Sequence, residues 1–538
     1  MNTNVKSCGE ALVQLLEAYG VDCVFGIPGT HTLELYRGLE NSPIHHVLPR
    51  HEQGAAFMAD GYARSTGKPG VCFLITGPGV TNAATAMAQA YSDSQPMLVI
   101  SSTSSVSTMG KAWGEVHELN SQVDTTRPFT AFSETVRVPG DVPGLIARAF
   151  SVFRSERPRP VHIEIPIDVF GIPVQGAWEV FAHPALPAPN PDMVSQAAEL
   201  LSKAERPAII LGGGALEAGA AVAKIAERLA APILPTVAAN GVVPDSHPLC
   251  LGPRFWAQSA MDVIEAADVV LALGTELSIN EGCTPKPIGF PGTLIRVDID
   301  PRKLVDRVPA QLAIWADAQQ TANALAAAVN IQADDARQAE ARAQVARTRQ
   351  VADAGLKPLQ HKHMAVTDIL QECLPRDTIY ATDMTQIVYT TRGTMGFEMP
   401  RRMLNPKGYG TLGYGLPAAI GAKVANPDTT VVAIAGDSGV MYTIQELATA
   451  TEISSAVILV IWNNRSLAEI RDGFIGLGVK PIGVNPYTPD FATLARSMGW
   501  EAAEVGDEAG LRRALGEAQA SNLATVIVVD EDGDYGSA

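Results

Sequence analysis

Short apolar runs alternate with helically spaced apolar positions along most of the chain. Residues 24–25, 71–75, 97–100 and 161–165 read as buried strands, and residues 9–19 carry apolar side chains at helical spacing. The same alternation returns at residues 208–211, 269–273 and 294–299, and again from residue 431 onward. Strands alternating with helices predict parallel sheets covered by helices. Residues 184–191, PALPAPNP, form a stiff proline-rich linker. Residues 333–350 are alanine-rich with interspersed charge and predict a solvated helix, and Lys357-Pro358 marks a second boundary. The pattern predicts an α/β chain of three domains, over residues 1–183, 190–345 and 358–532. At 538 residues the chain has room for them at ~100–200 residues each.

One stretch of the third domain carries the clearest chemistry. Residues 431–435 predict a strand ending in Gly436-Asp437-Ser438-Gly439. A helix follows, with Ile444, Leu447 and Ala448 on one face, and then a strand over 456–462 that ends in Asn463-Asn464. In a parallel sheet both strand ends lie on the edge where ligands bind. Asp437 and Asn464 offer hard oxygen ligands of the kind Mg²⁺ accepts. Gly436, Ser438 and Gly439 open a turn whose N–H groups can approach phosphate oxygens. Taken alone, Gly-Asp-Ser is an ordinary turn. The glycines at 212–214 invite a dinucleotide reading but fit the spacing of such a fingerprint poorly, which favours a vestigial or unoccupied turn.

Composition narrows the class. Hydrophobic residues make up 46% and charged residues 18%, which permits a large core. A net charge of −17 argues against non-specific nucleic-acid binding. The six cysteines are scattered without a Cys-x-x-Cys and read as buried free thiols in a reducing compartment. The opening MNTNVKSCGEAL has no basic region followed by an apolar run, and no apolar run nears the ~18–20 residues of a membrane span. A cytoplasmic protein without membrane or nucleic-acid partners is expected.

Gly-Asp-Ser followed after 24 residues by Asn-Asn resembles the signature of thiamine diphosphate-dependent enzymes. Three further stretches are similar to the same family: residues 49–56 with 59–64, Thr76-Gly77-Pro78-Gly79 with Thr81-Asn82, and residues 408–417. The resemblance spans essentially the whole chain and implies a pyrimidine-binding domain, a middle domain and a diphosphate-binding domain. The family contains 2-oxo acid decarboxylases and acetolactate synthases. Residues 26–40 and 463–472 are most similar to 5-guanidino-2-oxopentanoate decarboxylases of arginine catabolism.

The resemblance implies roles for individual residues. Asp437, Asn464 and the carbonyl of Ser466 would hold Mg²⁺. Glu52 would hydrogen-bond N1′ of the aminopyrimidine, although alone it reads as an acid at a helix start. Gly410 would accept from the 4′-amino group, Leu412 would prop the two rings apart, and Thr385 and Gln386 would touch the diphosphate. Ile387 stands where synthases of the family often carry His. Thr76 stands where benzoylformate decarboxylases carry His. His31, next to Thr30, is therefore the expected acid–base group, with His117 a poorer candidate and Asn82 either supporting or a plain turn residue. Glu469 lies five residues after Asn464, where relatives acting on apolar acids carry Ala, Ile or Met. An acid there suits a guanidinium, unless Glu469 simply pairs with Arg465 or Arg471 or sits in water. Glu276 and Glu281 are weaker candidates for that task. The expected reaction is decarboxylation of a 2-oxo acid to an aldehyde. The alternative is an acetolactate synthase-like carboligase acting on pyruvate. FAD is not expected. A homo-oligomer, at least a dimer and more often a tetramer, is implied because the family's cofactor lies between two subunits.

Overall fold

We describe the chain from a computed structural model, over residues 5–278 and 288–536. Three parallel sheets are each covered by helices, the α/β architecture expected from the alternation. The first sheet orders its strands His45–Val47, Cys23–Gly26, Gly70–Leu74, Met97–Thr103, Val161–Pro166 and Phe132–Thr135. The third orders them Met403–Leu404, Ile379–Thr382, Val431–Gly436, Val457–Asn463, Thr525–Asp534 and Glu501–Asp507. With each domain's strands numbered along the chain, both sheets run 2-1-3-4-6-5. The middle sheet has five strands in the order 2-1-3-4-5.

In each sheet the order reverses between the first and third strands. Chains leaving these two strands turn to opposite sides, which opens a crevice beyond their C-terminal ends. In the first domain those ends lead to Thr30-His31 and to Thr76. In the third they lead to Thr385 and to Asp437.

The first and third domains share one apolar core. Helix Glu52–Thr66 lies against helix Gly415–Ala425, and Phe57, Met58, Ala418, Ala419, Val431 and Leu459 are all buried there. Two glycines allow the approach: a Cβ on Gly61 would sit 2.1 Å from the Ala418 carbonyl oxygen, and one on Gly421 only 1.9 Å from that of Met58.

Several expected elements shift in detail. The helix after Asp437 is broken in two, Asp437–Val440 and Glu446–Glu452, because the Thr443 hydroxyl bonds the Gly413 carbonyl at 2.7 Å in the intervening turn. The charged helix runs Asp335–Ala354. Gly212 has a packing reason to be glycine, since a Cβ would meet the Gly274 carbonyl oxygen at 2.2 Å. Cys8, Cys23, Cys72 and Cys250 are buried free thiols, Cys373 is half-buried, and Cys283 lies outside the described residues. No helix among the described residues is long and apolar enough to cross a membrane.

Candidate active site

The third domain gathers one group of predicted residues at the ends of its two central strands. Asp437 caps strand Val431–Gly436 and is 3% exposed. Its carboxylate accepts from the Thr488 hydroxyl at 3.3 Å and from the backbone N–H groups of Ser438 and Arg465. Burial raises its carboxyl above the usual range against those bonds. Asn464 follows strand Val457–Asn463, and its Oδ1 accepts from the Ser466 N–H at 3.2 Å. Its amide nitrogen donates to Gln386 Oε1 at 3.4 Å and Glu531 Oε2 at 3.3 Å. Ser466 is buried, with its hydroxyl donating to the Val484 carbonyl at 2.9 Å.

The neighbouring loops close on the same turn. Thr385 Oγ1 lies 2.6 Å from where a Cβ on Gly436 would stand, so only glycine fits there. Asp383 Oδ2 and Leu412 Cδ2 lie 3.1 and 3.8 Å from the same point on Gly439. Asp383 is buried and accepts from the Gly413 N–H with both oxygens, at 3.1 and 2.9 Å, which fixes the loop carrying Leu412. Gly410 adopts φ +73 with open space around it, a conformation that favours glycine. Two buried polar atoms at this edge, Ser438 Oγ and Asn463 Oδ1, have no hydrogen-bond partner among the described residues. Unpaired buried polar atoms are rare. Together with a desolvated carboxylate, they fit a site built for a polar, metal-bound group.

The first domain gathers the second group. Glu52 opens helix Glu52–Thr66, and its Oε2 accepts from Asn82 Nδ2 at 2.9 Å. His31 Nδ1 lies 3.1 Å from Thr76 Oγ1, and the Thr76 hydroxyl donates to Ser102 Oγ at 2.9 Å. The rings of His31 and His117 are 5.4 Å apart, with His117 Nδ1 on the Thr76 carbonyl at 3.2 Å. Burial, then His117, lowers the pKa of His31, while Glu115 opposes. Thr30 is exposed at the start of the same short turn. No hydrogen bond or ion pair among the described residues joins Glu52 to the Asp437 group.

Glu469 is exposed on helix Ala468–Gly476. It accepts from Gln386 Nε2 at 3.3 Å, and the same nitrogen lies 3.2 Å from Asp472. Neither nearby arginine neutralises it. Arg465 pairs with Asp530 at 2.7 Å and Arg471 with Asp472 at 2.9 Å. Glu276, by contrast, is occupied by Arg157 at 3.0 Å, Lys303 at 3.2 Å and Arg159 at 3.5 Å, so its charge serves the contact between the first and middle domains. Glu281 lies outside the described residues.

Sequence reading missed Asp383, Thr488 and Glu531. Each reaches the site from a distant segment and carries no spacing signal relative to Asp437.

Three family models match in the order of the domains: the N-terminal TPP binding domain of thiamine pyrophosphate enzymes over residues 6–126, their central domain over 194–325, and their C-terminal TPP binding domain over 383–529. A probable 2-ketoarginine decarboxylase of Pseudomonas aeruginosa is 50% identical, over 95% of this chain and 91% of that protein. The acetolactate synthase isozyme 1 large subunit of Escherichia coli is 34% identical over 94% of this chain and 91% of its own length. A probable acetolactate synthase large subunit of Methanocaldococcus jannaschii is 31% identical, over 95% and 90%. The crevice residues of both outer domains, set on matching sheets, thus fall inside matched TPP-binding domains, and the chain belongs to the thiamine pyrophosphate enzymes.

Proposed function

We propose that this chain decarboxylates the basic 2-oxo acid 5-guanidino-2-oxopentanoate (2-ketoarginine) to the corresponding aldehyde and CO₂, using thiamine diphosphate and Mg²⁺. The observation that carries the substrate is Glu469, an exposed carboxylate beside Gln386 that no ion pair reaches among the described residues. A guanidinium offers a planar fork of donors that matches such a carboxylate. The Pseudomonas relative's name points the same way.

Asp437, Asn464 and the Ser466 carbonyl would hold the metal, and the turn Gly436-Asp437-Ser438-Gly439 with Thr385 and Gln386 the diphosphate. Gly410 and Leu412 would bracket the rings. The cofactor supplies a carbanion nucleophile and the electron sink that decarboxylation needs. Glu52 would hold a proton at N1′ of the aminopyrimidine, oriented by Asn82. With the Thr76 hydroxyl donating to Ser102, that oxygen accepts from His31 Nδ1–H. His31 Nε2 is then the nitrogen that exchanges a proton with the substrate, a general acid–base role, with Thr30 alongside. Because no hydrogen bond or ion pair among the described residues joins Glu52 to the Asp437 group, we infer that the site is completed by a second copy, in a dimer or tetramer. A cytoplasmic enzyme of arginine catabolism without FAD follows from this reading.

The test is a panel of 2-oxo acids assayed for CO₂ and aldehyde. Glu469→Leu should lower kcat/KM for the guanidino acid by ~10- to 150-fold, the loss of one charged hydrogen bond. It should spare 2-oxohexanoate. Equal loss for both acids would remove Glu469 from substrate recognition. Acetolactate formation from pyruvate by a yellow preparation would replace the proposal with the synthase reading.

A further inference from the structure

A buried carboxylate outside both groups links them within one chain. Glu446 is fully buried on helix Glu446–Glu452 of the third domain. Its oxygens accept from the Arg50 N–H at 3.2 and 3.1 Å, and from the N–H of His51. The Thr449 hydroxyl donates to it at 2.7 Å. Arg50 and His51 are the two residues before Glu52, and His51 is the N-cap of the helix that Glu52 opens. Gly54, in the first turn of that helix, leaves room for the carboxylate: a Cβ there would stand 2.3 Å from Glu446 Oε1. The Arg50 side chain pairs with Glu452 at the far end of the same short helix. The approach to Glu52 is therefore gripped at two points by a helix from another domain.

That helix is itself the continuation of the Asp437 turn. Thr443 locks the intervening bend through the Gly413 carbonyl, and the Glu446 N–H bonds the Thr443 carbonyl at 3.0 Å. A hydrogen-bonded segment thus runs from Asp437 to Glu446 and ends on the backbone that sets Glu52.

We propose that Glu446 is a positioning residue for Glu52, fixing the backbone at Arg50 and His51 to the segment that begins at Asp437. The inference rests on the role proposed above for Glu52. Two backbone donors shared by one carboxylate leave the start of the helix little freedom. Displacing a proton-holding group by ~1 Å from its partner can cost ~100-fold in rate. Glu446 touches neither Glu52 nor the Asp437 group by any hydrogen bond, so its removal should leave the metal and diphosphate ligands in place.

Glu446→Gln keeps the volume but turns an amide toward the two N–H groups. Gly54→Ala pushes the same carboxylate aside with a methyl group, and tests the idea should the first variant fail to fold. In the apo chain, amide hydrogen exchange over residues 48–54 should speed up in both variants while the remainder of the first domain keeps its protection. With thiamine diphosphate and Mg²⁺ bound, hydrogen–deuterium exchange at the cofactor C2 should slow by ~10- to 100-fold, with cofactor affinity changed by less than ~3-fold. Loosened amides with wild-type C2 exchange would reduce Glu446 to a domain staple and overturn the proposal. So would affinity falling as far as the exchange rate. Wild-type protein that binds the cofactor without accelerating C2 exchange would instead overturn the role of Glu52, and this inference with it.

Discussion

At the residue scale, Asp437 is a buried carboxylate at a strand end, desolvated more than its hydrogen bonds offset. Its carboxylate is buried, and no salt bridge reaches it among the described residues. Three backbone N–H groups, its own among them, and the Thr488 hydroxyl only partly offset the desolvation of its charge. A divalent metal would supply the missing positive charge. Asp437→Ala should therefore abolish Mg²⁺-dependent binding of thiamine diphosphate, measured by calorimetry, while the apo protein stays folded. Wild-type affinity in that variant would mean that the metal sits elsewhere. The positions of Asp437 and Asn464 at the ends of two strands were legible in the alternation of the sequence, whereas Thr385 and Leu412 were singled out only by the resemblance to the family. Asp383 and Glu446 were legible in neither way. Each acts by accepting backbone N–H groups from segments 30 or several hundred residues away, 413 for one and 50 for the other, and such pairings leave no local pattern. Glu469 was legible as an acid in an unexpected place, but only the structure shows that Arg465 and Arg471 are engaged with other carboxylates.

At the element scale, the contact between helices Glu52–Thr66 and Gly415–Ala425 sets how the first and third domains meet. The backbones come so close at Gly61 and Gly421 that no side chain fits between them. Sequence reading matched residues 59–64 and 408–417 to family segments and did not single out Gly421, since a glycine in a helix gives no sign of which neighbour requires it. Gly421→Ala would place a methyl carbon 1.9 Å from the Met58 carbonyl oxygen, which only separation of the two helices relieves. Overpacking of this kind costs ~1–3 kcal/mol. The apo protein's melting temperature should fall, and cofactor affinity should fall with it because Glu52 opens one of these helices and the loop carrying Gly410 and Leu412 leads into the other. A variant with an unchanged melting temperature would show that the interface gives way easily. The strands were read well where they are continuous apolar runs. The break after Val440 was not, because it depends on one hydroxyl reaching a distant carbonyl.

At the scale of the whole molecule, each outer domain carries a histidine in its interior that must remain neutral. His162 is fully buried on strand Val161–Pro166 of the first sheet, with Nε2 on Ser101 at 2.8 Å and Nδ1 on Ser133 at 2.8 Å and Thr126 at 2.9 Å. Burial pushes its pKa down from 6.5 to about 3. His363 in the third domain bonds Thr390 at 2.9 Å and meets the Trp462 ring edge-on at 4.9 Å. Burial lowers its pKa to about 4. Unfolding frees both rings to take up a proton near their ordinary pKa. Below pH 6.5 the unfolded chain therefore binds more protons than the folded one, and stability falls as the pH drops. The contribution is fully present above pH 6.5 and is lost progressively toward pH 3–4. At pH 5 each histidine costs the fold ~2 kcal/mol relative to pH 7. Three domains need not unfold in one step, so the comparison is best made on the first unfolding transition to appear in urea at the two pH values. His162→Gln lowers stability at both by losing hydrogen bonds, but it cannot take up a proton. Its loss between pH 7 and pH 5 should be smaller than that of the wild type by about the contribution of one histidine, provided the transition followed is that of the first domain. His363→Gln should do the same for the third. An equal loss in wild type and both variants would mean that the acid sensitivity comes from carboxylates alone, and that neither ring is held neutral by the fold.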